Sequence, residues 1–247
     1  FNPQQLQALP HFINQMKKKV NPMHCIETTI QELRPQLDTI ATSSKKLDLS
    51  IFDFTESTNH VENKHSGKLF VMATGIPGSG KSWWSNRVSE TLNAQGIKTV
   101  NLAQDEIFVE LRNKWLKENH GKEFNRKKMG KNVSITTKKR FEQLFYDNTP
   151  VVISSRNNFI ERDRKPFIDL ARKYNYRVIS IDPVEKSNPK EWVKLYLVSL
   201  HAVHQRKDHP TLNYFDDDKT KLATILQSFT GEYTYPKNVD NSIRVKY

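Results

Sequence analysis

Between Leu69 and Trp84 the chain reads LFVMATGIPGSGKSWW, and the spacing Gly75, four residues, then Gly80-Lys81-Ser82 constrains it more than any other feature. Glycines here let the backbone turn inward so that successive N–H groups face one anion. A lysine at the end of the run reaches the outer phosphates of a nucleotide, and the following hydroxyl can ligate magnesium. Such a loop works where a strand hands over to a helix, whose N-terminal dipole favours negative charge. The flanks agree. Leu69 to Ala73 is an apolar run of strand length, and residues 81–95 contain neither Gly nor Pro. Nucleoside triphosphate binding follows, with Gly75, Pro77, Gly78, Ser79, Gly80, Lys81 and Ser82 as nucleotide-binding residues and Ser82 as the metal ligand.

Downstream, apolar runs at 68–74, 98–104, 150–154 and 176–181 alternate with helical patterns near 81–95, 106–119, 137–147 and 162–174. That alternation predicts an α/β fold, a P-loop kinase with a mostly parallel sheet flanked by helices. Two further helices are expected at 189–205 and 217–229, and a last strand at 242–247. Upstream, Leu6, Leu9, Phe12, Ile13 and Met16 share one helical face, and Ile26, Ile30, Leu33 and Leu37 another. Residues 1–52 therefore read as a helical extension or inter-module segment, 53–67 as a polar linker, and 68–247 as the kinase domain. The start at Phe1 rather than Met reads as a piece of a larger chain.

A chain of 247 residues is long enough for a real core, and its formal charge of +12 points to a polyanionic partner. Cys25 stands alone, which excludes a disulfide framework and fits an intracellular setting, cytoplasm or nucleus. No apolar stretch approaches membrane-spanning length.

The reaction is narrowed by what surrounds the loop. Switch GTPases need Asp-x-x-Gly and Asn-Lys-x-Asp downstream, and neither is present. Motor ATPases end an apolar strand in acidic residues, whereas here VVIS runs into Ser155-Arg156. Phosphoryl transfer to a bound hydroxyl remains, and it needs a carboxylate beside the γ-phosphate. Ligands gather at the carboxyl ends of parallel strands, so Asp105, closing TVNLAQD, is the candidate base. The competing role for it is an N-cap of the helix that starts at Glu106. Cationic cover for the transferring phosphoryl group comes from HAVHQRKDHP, where Arg206 is the catalytic candidate. His201, His204 and His209 lie in the same stretch, but no Cys or paired carboxylate completes a zinc set. Between Arg112 and Arg140 lie eleven basic residues, Arg126, Lys127 and Lys128 among them, against Glu118 and Glu123. With Trp115, Phe124 and Met129 interleaved, that run reads either as a solvated lysine-rich loop or as a phosphate-binding and base-stacking surface overhanging the acceptor.

In these residues the chain resembles the P-loop polynucleotide 5′-kinases, most closely the kinase domain of fungal-type tRNA ligases. The resemblance is carried by GIPGSGKS with Trp84, where the bacteriophage polynucleotide kinase also has a tryptophan, and by Gln104-Asp105. It is also carried by VVISSRNNFIERDR, similar to an apolar strand followed by Asp-Arg-Asn-Asn and Arg-Glu-Arg, and by HAVHQRKDHP ahead of a helix ending SFTGEYTYP. It covers roughly residues 68–247. It implies Asp105 as general base for a 5′-hydroxyl and Arg206 as a lid arginine on the phosphates. It further implies Arg156, Asn157 and Asn158 in the acceptor site, although a turn is the alternative for the asparagine pair. ATP or GTP would be the donor with Mg2+, and an RNA or DNA 5′ end the acceptor, in RNA repair or tRNA splicing, with a ligase module of the same polypeptide before Phe1. Two positions depart from the pattern. Ser155 replaces the aspartate of Asp-Arg-Asn-Asn, and Ala202 replaces the first of two lid arginines, leaving Arg206 alone or with Arg156, Arg162 or Arg164. The alternatives are a small-metabolite or nucleotide-sugar kinase and a nucleotide-dependent RNA-binding module without transfer activity.

Overall fold

A computed structural model describes residues 67–120 and 126–182, and beyond these 195–196, 199, 202–203, 225–226, 228–229, 232–236 and 238–244; for 126–128, 241, 243 and 244 it describes the backbone alone. The helical extension, the linker up to Ser66, Arg206 and the three histidines lie outside the described residues. So does most of the two helices expected at 189–205 and 217–229, within which every described residue is helical.

The described elements are β1 Leu69–Ala73, α1 Lys81–Ala94, β2 Thr99–Leu102, α2 Gln104–Glu118, α3 Arg126–Tyr146, β3 Val151–Ser154, α4 Glu161–Lys173, β4 Arg177–Asp182 and β5 Asn241–Arg244. The sheet order is β2-β3-β1-β4-β5, with every neighbouring pair parallel. In register, Val71 faces Ile153 on one side and Ile179 on the other. Parallel neighbours need crossovers, and the helices supply them. Because β3 inserts between β1 and β2, the loops leaving β1, β2 and β3 emerge side by side at the carboxyl edge of the sheet. That edge is where open α/β sheets bind ligands.

The strand period of two divides the core. Phe70 and Met72 look to one face of β1, where they join Phe141, Phe145, Phe167 and Tyr176; Leu69, Val71 and Ala73 look to the other, against Trp84, Val88 and Leu92 of α1. Phe70 meets Phe141 and Phe145 edge-on, with centroids 5.7 and 5.2 Å apart. All five residues of β1 are buried, as a strand covered on both faces must be.

One expectation needs correcting. α3 begins at Arg126, not near 137. Its first half, with Gly130 and the β-branched Val133, Ile135, Thr136 and Thr137, has weak intrinsic helix preference. Burial of Met129 and Val133 in the same cluster as Ile107 and Phe108 of α2 holds it in place. Among the described residues, no helix is long and apolar enough to cross a membrane.

Candidate active site

The loop after β1 uses its glycines for different reasons. Gly75, Gly78 and Gly80 have φ of 119°, 87° and 78°, a region that side chains disfavour. Gly78 is also short of space, since a Cβ there would lie 2.5 Å from the carbonyl oxygen of Ser199. Ser199 and Val203 are thereby packed directly on the loop. Lys81 Nζ donates to the carbonyls of Gly75 and Ile76 at 3.0 and 2.8 Å. Its ammonium is thus pinned over the loop mouth. Ser82 is exposed in the first turn of α1, a turn that holds no acidic residue to offset the positive helix end. Trp84, by contrast, is a core residue.

A cavity of about 370 Å³ opens at this edge, lined by Pro77, Gly78, Gly80, Lys81 and Ser82 of the loop, Gln104, Asp105 and Phe108 of α2, Gly130 and Val133 of α3, and Ser155, Arg156, Asn157, Phe159 and Asp163 of the β3–α4 connection. Tertiary structure thus brings Asp105, Lys81, Ser82, Arg156 and Asn157 to one place. Gly75 and Ser79 lie behind the lining. Asp105 is not the N-cap. Ala103 takes that position with no side-chain cap, and Asp105 sits in the first turn, exposed, where the helix dipole favours its negative charge. Glu106 does not line the cavity.

The β3–α4 connection separates residues the sequence had grouped. Asn157 is exposed to the cavity, but Asn158 is 1% exposed and donates its amide to the carbonyls of Ala73 and Ser154 at 3.0 and 3.2 Å. Asn158 ties the ends of β1 and β3 and does not face the site. Arg164 is fully buried, donating to the Asn158 carbonyl at 2.9 Å and to Thr234 Oγ1 at 3.1 Å. It is a structural brace, and burial lowers its pKa. Arg162 is exposed beside Asp163, at 3.6 Å, and outside the lining. Of these three arginines, Arg156 alone reaches the cavity. Its guanidinium lies 4.2 Å from the Phe167 ring centroid and donates to Gln104 Oε1 and to the Asp163 carbonyl, each at 3.1 Å. Burial draws it down from 12.5 to about 10, and the Asp163 carboxylate opposes that shift. A partly desolvated cation of this kind gains from an anion entering the site. Ser155, also in the lining, is 6% exposed and its hydroxyl has no hydrogen-bond partner among the described residues.

Behind the loop, Asp182 at the end of β4 accepts from the hydroxyls of Thr74, Ser180, Tyr233 and Ser242. Thr74 directly precedes Gly75, so this buried cluster fixes where β1 releases the loop. Burial and the Asp182 carboxylate both push the Tyr233 phenol far up.

The described basic residues of the run are helical and not in a loop. They lie on α2 and α3, where Arg112, Lys114, Lys117, Lys131, Lys138 and Lys139 are exposed, while Arg140 is held by Glu110 at 2.6 and 2.7 Å. Met129 is in the core and is no stacking platform, whereas Trp115 is partly buried and packs against that core; Phe124 is outside the described residues. The side chains of Arg126, Lys127 and Lys128 are likewise outside the description. Sequence reasoning missed Asp163, Phe108, Gly130, Val133 and Phe159. Asp163 lay within the quoted ERDR, but the α3 residues reach the cavity only through helix packing.

Residues 70–187 match the AAA domain family. NEDD4-binding protein 2 of Homo sapiens is 26% identical over 156 residues, which is 62% of this chain and 8% of that protein. The chain thus spans a small part of that relative. A solved structure from Chloroflexus aurantiacus, assigned as a kinase, superposes with a TM-score of 0.51 at 15% identity, covering 73% of this chain and 88% of that one. The fold is that of the P-loop kinases.

Proposed function

We propose that this protein is a phosphotransferase that moves the γ-phosphate of ATP or GTP to the 5′-hydroxyl end of RNA or DNA. The observation that carries the reading is that Lys81 and Ser82 of the loop share one cavity with the Asp105 carboxylate and the Arg156 guanidinium. The acceptor oxygen attacks the γ-phosphorus, the bond from that phosphorus to the β,γ-bridging oxygen breaks, and the nucleoside diphosphate leaves; Asp105 receives the acceptor proton. Lys81 and the loop amides hold the β- and γ-phosphates, and Arg206 covers the leaving charge. Ser82 is an exposed hydroxyl at a helix N-terminus and fits magnesium, which supplies charge neutralisation when bound with the phosphates. Among the described residues no cluster of three or more His, Cys, Asp or Glu could hold a metal, so Ser82 would share the ion with phosphate oxygens.

The exposed bases lie on α2 and α3, two helices that contribute to the cavity wall, and support a polynucleotide acceptor, as does Arg156 within the cavity. RNA repair or tRNA splicing, beside a ligase module of the same polypeptide, is the role that fits such an acceptor. A bounded cavity also suits a small hydroxylated metabolite, and that reading is favoured by the burial of Met129, which removes one stacking surface. The deciding experiment is transfer of labelled γ-phosphate from ATP and from GTP to a 5′-hydroxyl oligonucleotide, with Asp105→Asn as control. Label on the RNA or DNA end that disappears in the variant is expected. An unlabelled end, with triphosphate binding intact, would refute the polynucleotide reading.

A further inference from the structure

Gly130 is a glycine that the fold does not require. It lies inside α3, it is absent from the positive-φ positions, and a Cβ added to it would meet nothing within 4 Å among the described residues. The loop glycines differ because their φ is positive, and Gly78 has no room besides. A glycine within a helix costs stability relative to alanine. Neither backbone nor packing explains it, yet Gly130 lines the cavity and is exposed to it.

Its neighbours say what the vacant space adjoins. Asp105 and Phe108 lie three residues apart on α2, hence on one face, and Gly130 and Val133 have the same spacing on α3. All four line the cavity. An acceptor whose hydroxyl sits at Asp105 would share the cavity with Phe108 and Gly130, while the Arg156 guanidinium offers charge from the β3–α4 connection. The apolar wall suits a nucleobase or sugar face, and the guanidinium suits the phosphate that follows it.

We infer that Gly130 is the specificity-determining residue of the acceptor side, its missing side chain leaving the slot for the first nucleoside of a 5′-hydroxyl strand. This rests on the polynucleotide reading above.

The test uses wild type, Gly130→Ala and Gly130→Leu, with three readouts: thermal midpoint, Kd for the triphosphate, and KM and kcat for a 5′-hydroxyl oligonucleotide. Gly130→Ala is expected to raise the midpoint by about 2–4 °C through helix propensity. Both variants should hold the triphosphate within about twofold of wild type while Gly130→Leu raises the acceptor KM on the order of tenfold, more for a 5′ purine than for a 5′ pyrimidine. Wild-type transfer to 5′ ends with an unchanged KM in Gly130→Leu would overturn the slot and leave the kinase reading standing. A wild-type protein that labels no 5′ end would overturn both.

Discussion

Asn158→Ala separates a structural pin from a substrate contact. The wild-type amide is buried, and it bridges the last residue of β1 and the last residue of β3 through the carbonyls of Ala73 and Ser154, at 3.0 and 3.2 Å. Alanine keeps the Asn158 carbonyl that receives Arg164, so only the amide is removed. Each lost bond contributes about 1 kcal/mol net, and leaving two buried carbonyls short of a donor adds to that, for a total of about 2–3 kcal/mol. In a domain of this size the thermal midpoint should fall by roughly 5–10 °C. Urea unfolding followed by tryptophan fluorescence reads the loss, and acceptor KM, measured well below the midpoint, should stay near wild type. Asn157→Ala is the counterpart, since Asn157 is exposed to the cavity; stability should hold and acceptor KM should rise. An Asn158→Ala protein with an unmoved midpoint and a selectively weakened acceptor would refute the pin, and would put the amide where the family resemblance implies it.

Three further outcomes follow from the geometry. Gly78→Ala should lose more triphosphate affinity and more stability than Gly80→Ala, because its Cβ meets the Ser199 backbone oxygen at 2.5 Å whereas Gly80 has open space and only a positive φ to satisfy; equal losses measured by calorimetry would contradict this. Replacing Lys131, Lys138 and Lys139 together with alanine should flatten the slope of log K against log salt for single-stranded RNA by about 2, at roughly 0.7 per phosphate contact; an unchanged slope would place the RNA elsewhere. Tyr176 donates to the Thr149 carbonyl at 2.7 Å, and burial pushes its phenol up to about 12 from 10, with Asp147 adding to the shift. The unfolded chain therefore gives up this proton first, so stability present below pH 10 is lost as pH rises toward 12. Urea midpoints across that window should fall less steeply for Tyr176→Phe than for wild type, and parallel curves would deny Tyr176 the effect.

The glycine-rich loop was legible as a strand-to-helix turn because its shape lies in local backbone geometry, and local geometry is written in adjacent residues. The three internal strands, β3, β1 and β4, were legible for a related reason: a strand buried on both faces is a largely apolar run, and VVIS and LFVMA are such runs. Asp105 could be placed from position alone, since a parallel sheet delivers each strand's end to the same edge.

Where the chain touches itself at a distance, sequence had less to say. The first half of α3 has a helix-poor composition, and only packing with α2 decides its state. ERDR and RNN each offered several polar candidates of the same chemical type. Which of them faces the cavity depends on register: Arg156 and Asp163 face it, whereas Asn158 and Arg164 turn inward to brace strand ends. Gly130 is silent in sequence for the same reason. By itself the sequence determined that this chain sets a glycine-rich loop between a strand and a helix and carries a carboxylate after the next strand. Tertiary structure alone decided which side chains complete the site, because burial, and the hydrogen bonding that burial demands, is a property of neighbours that the chain order does not adjoin.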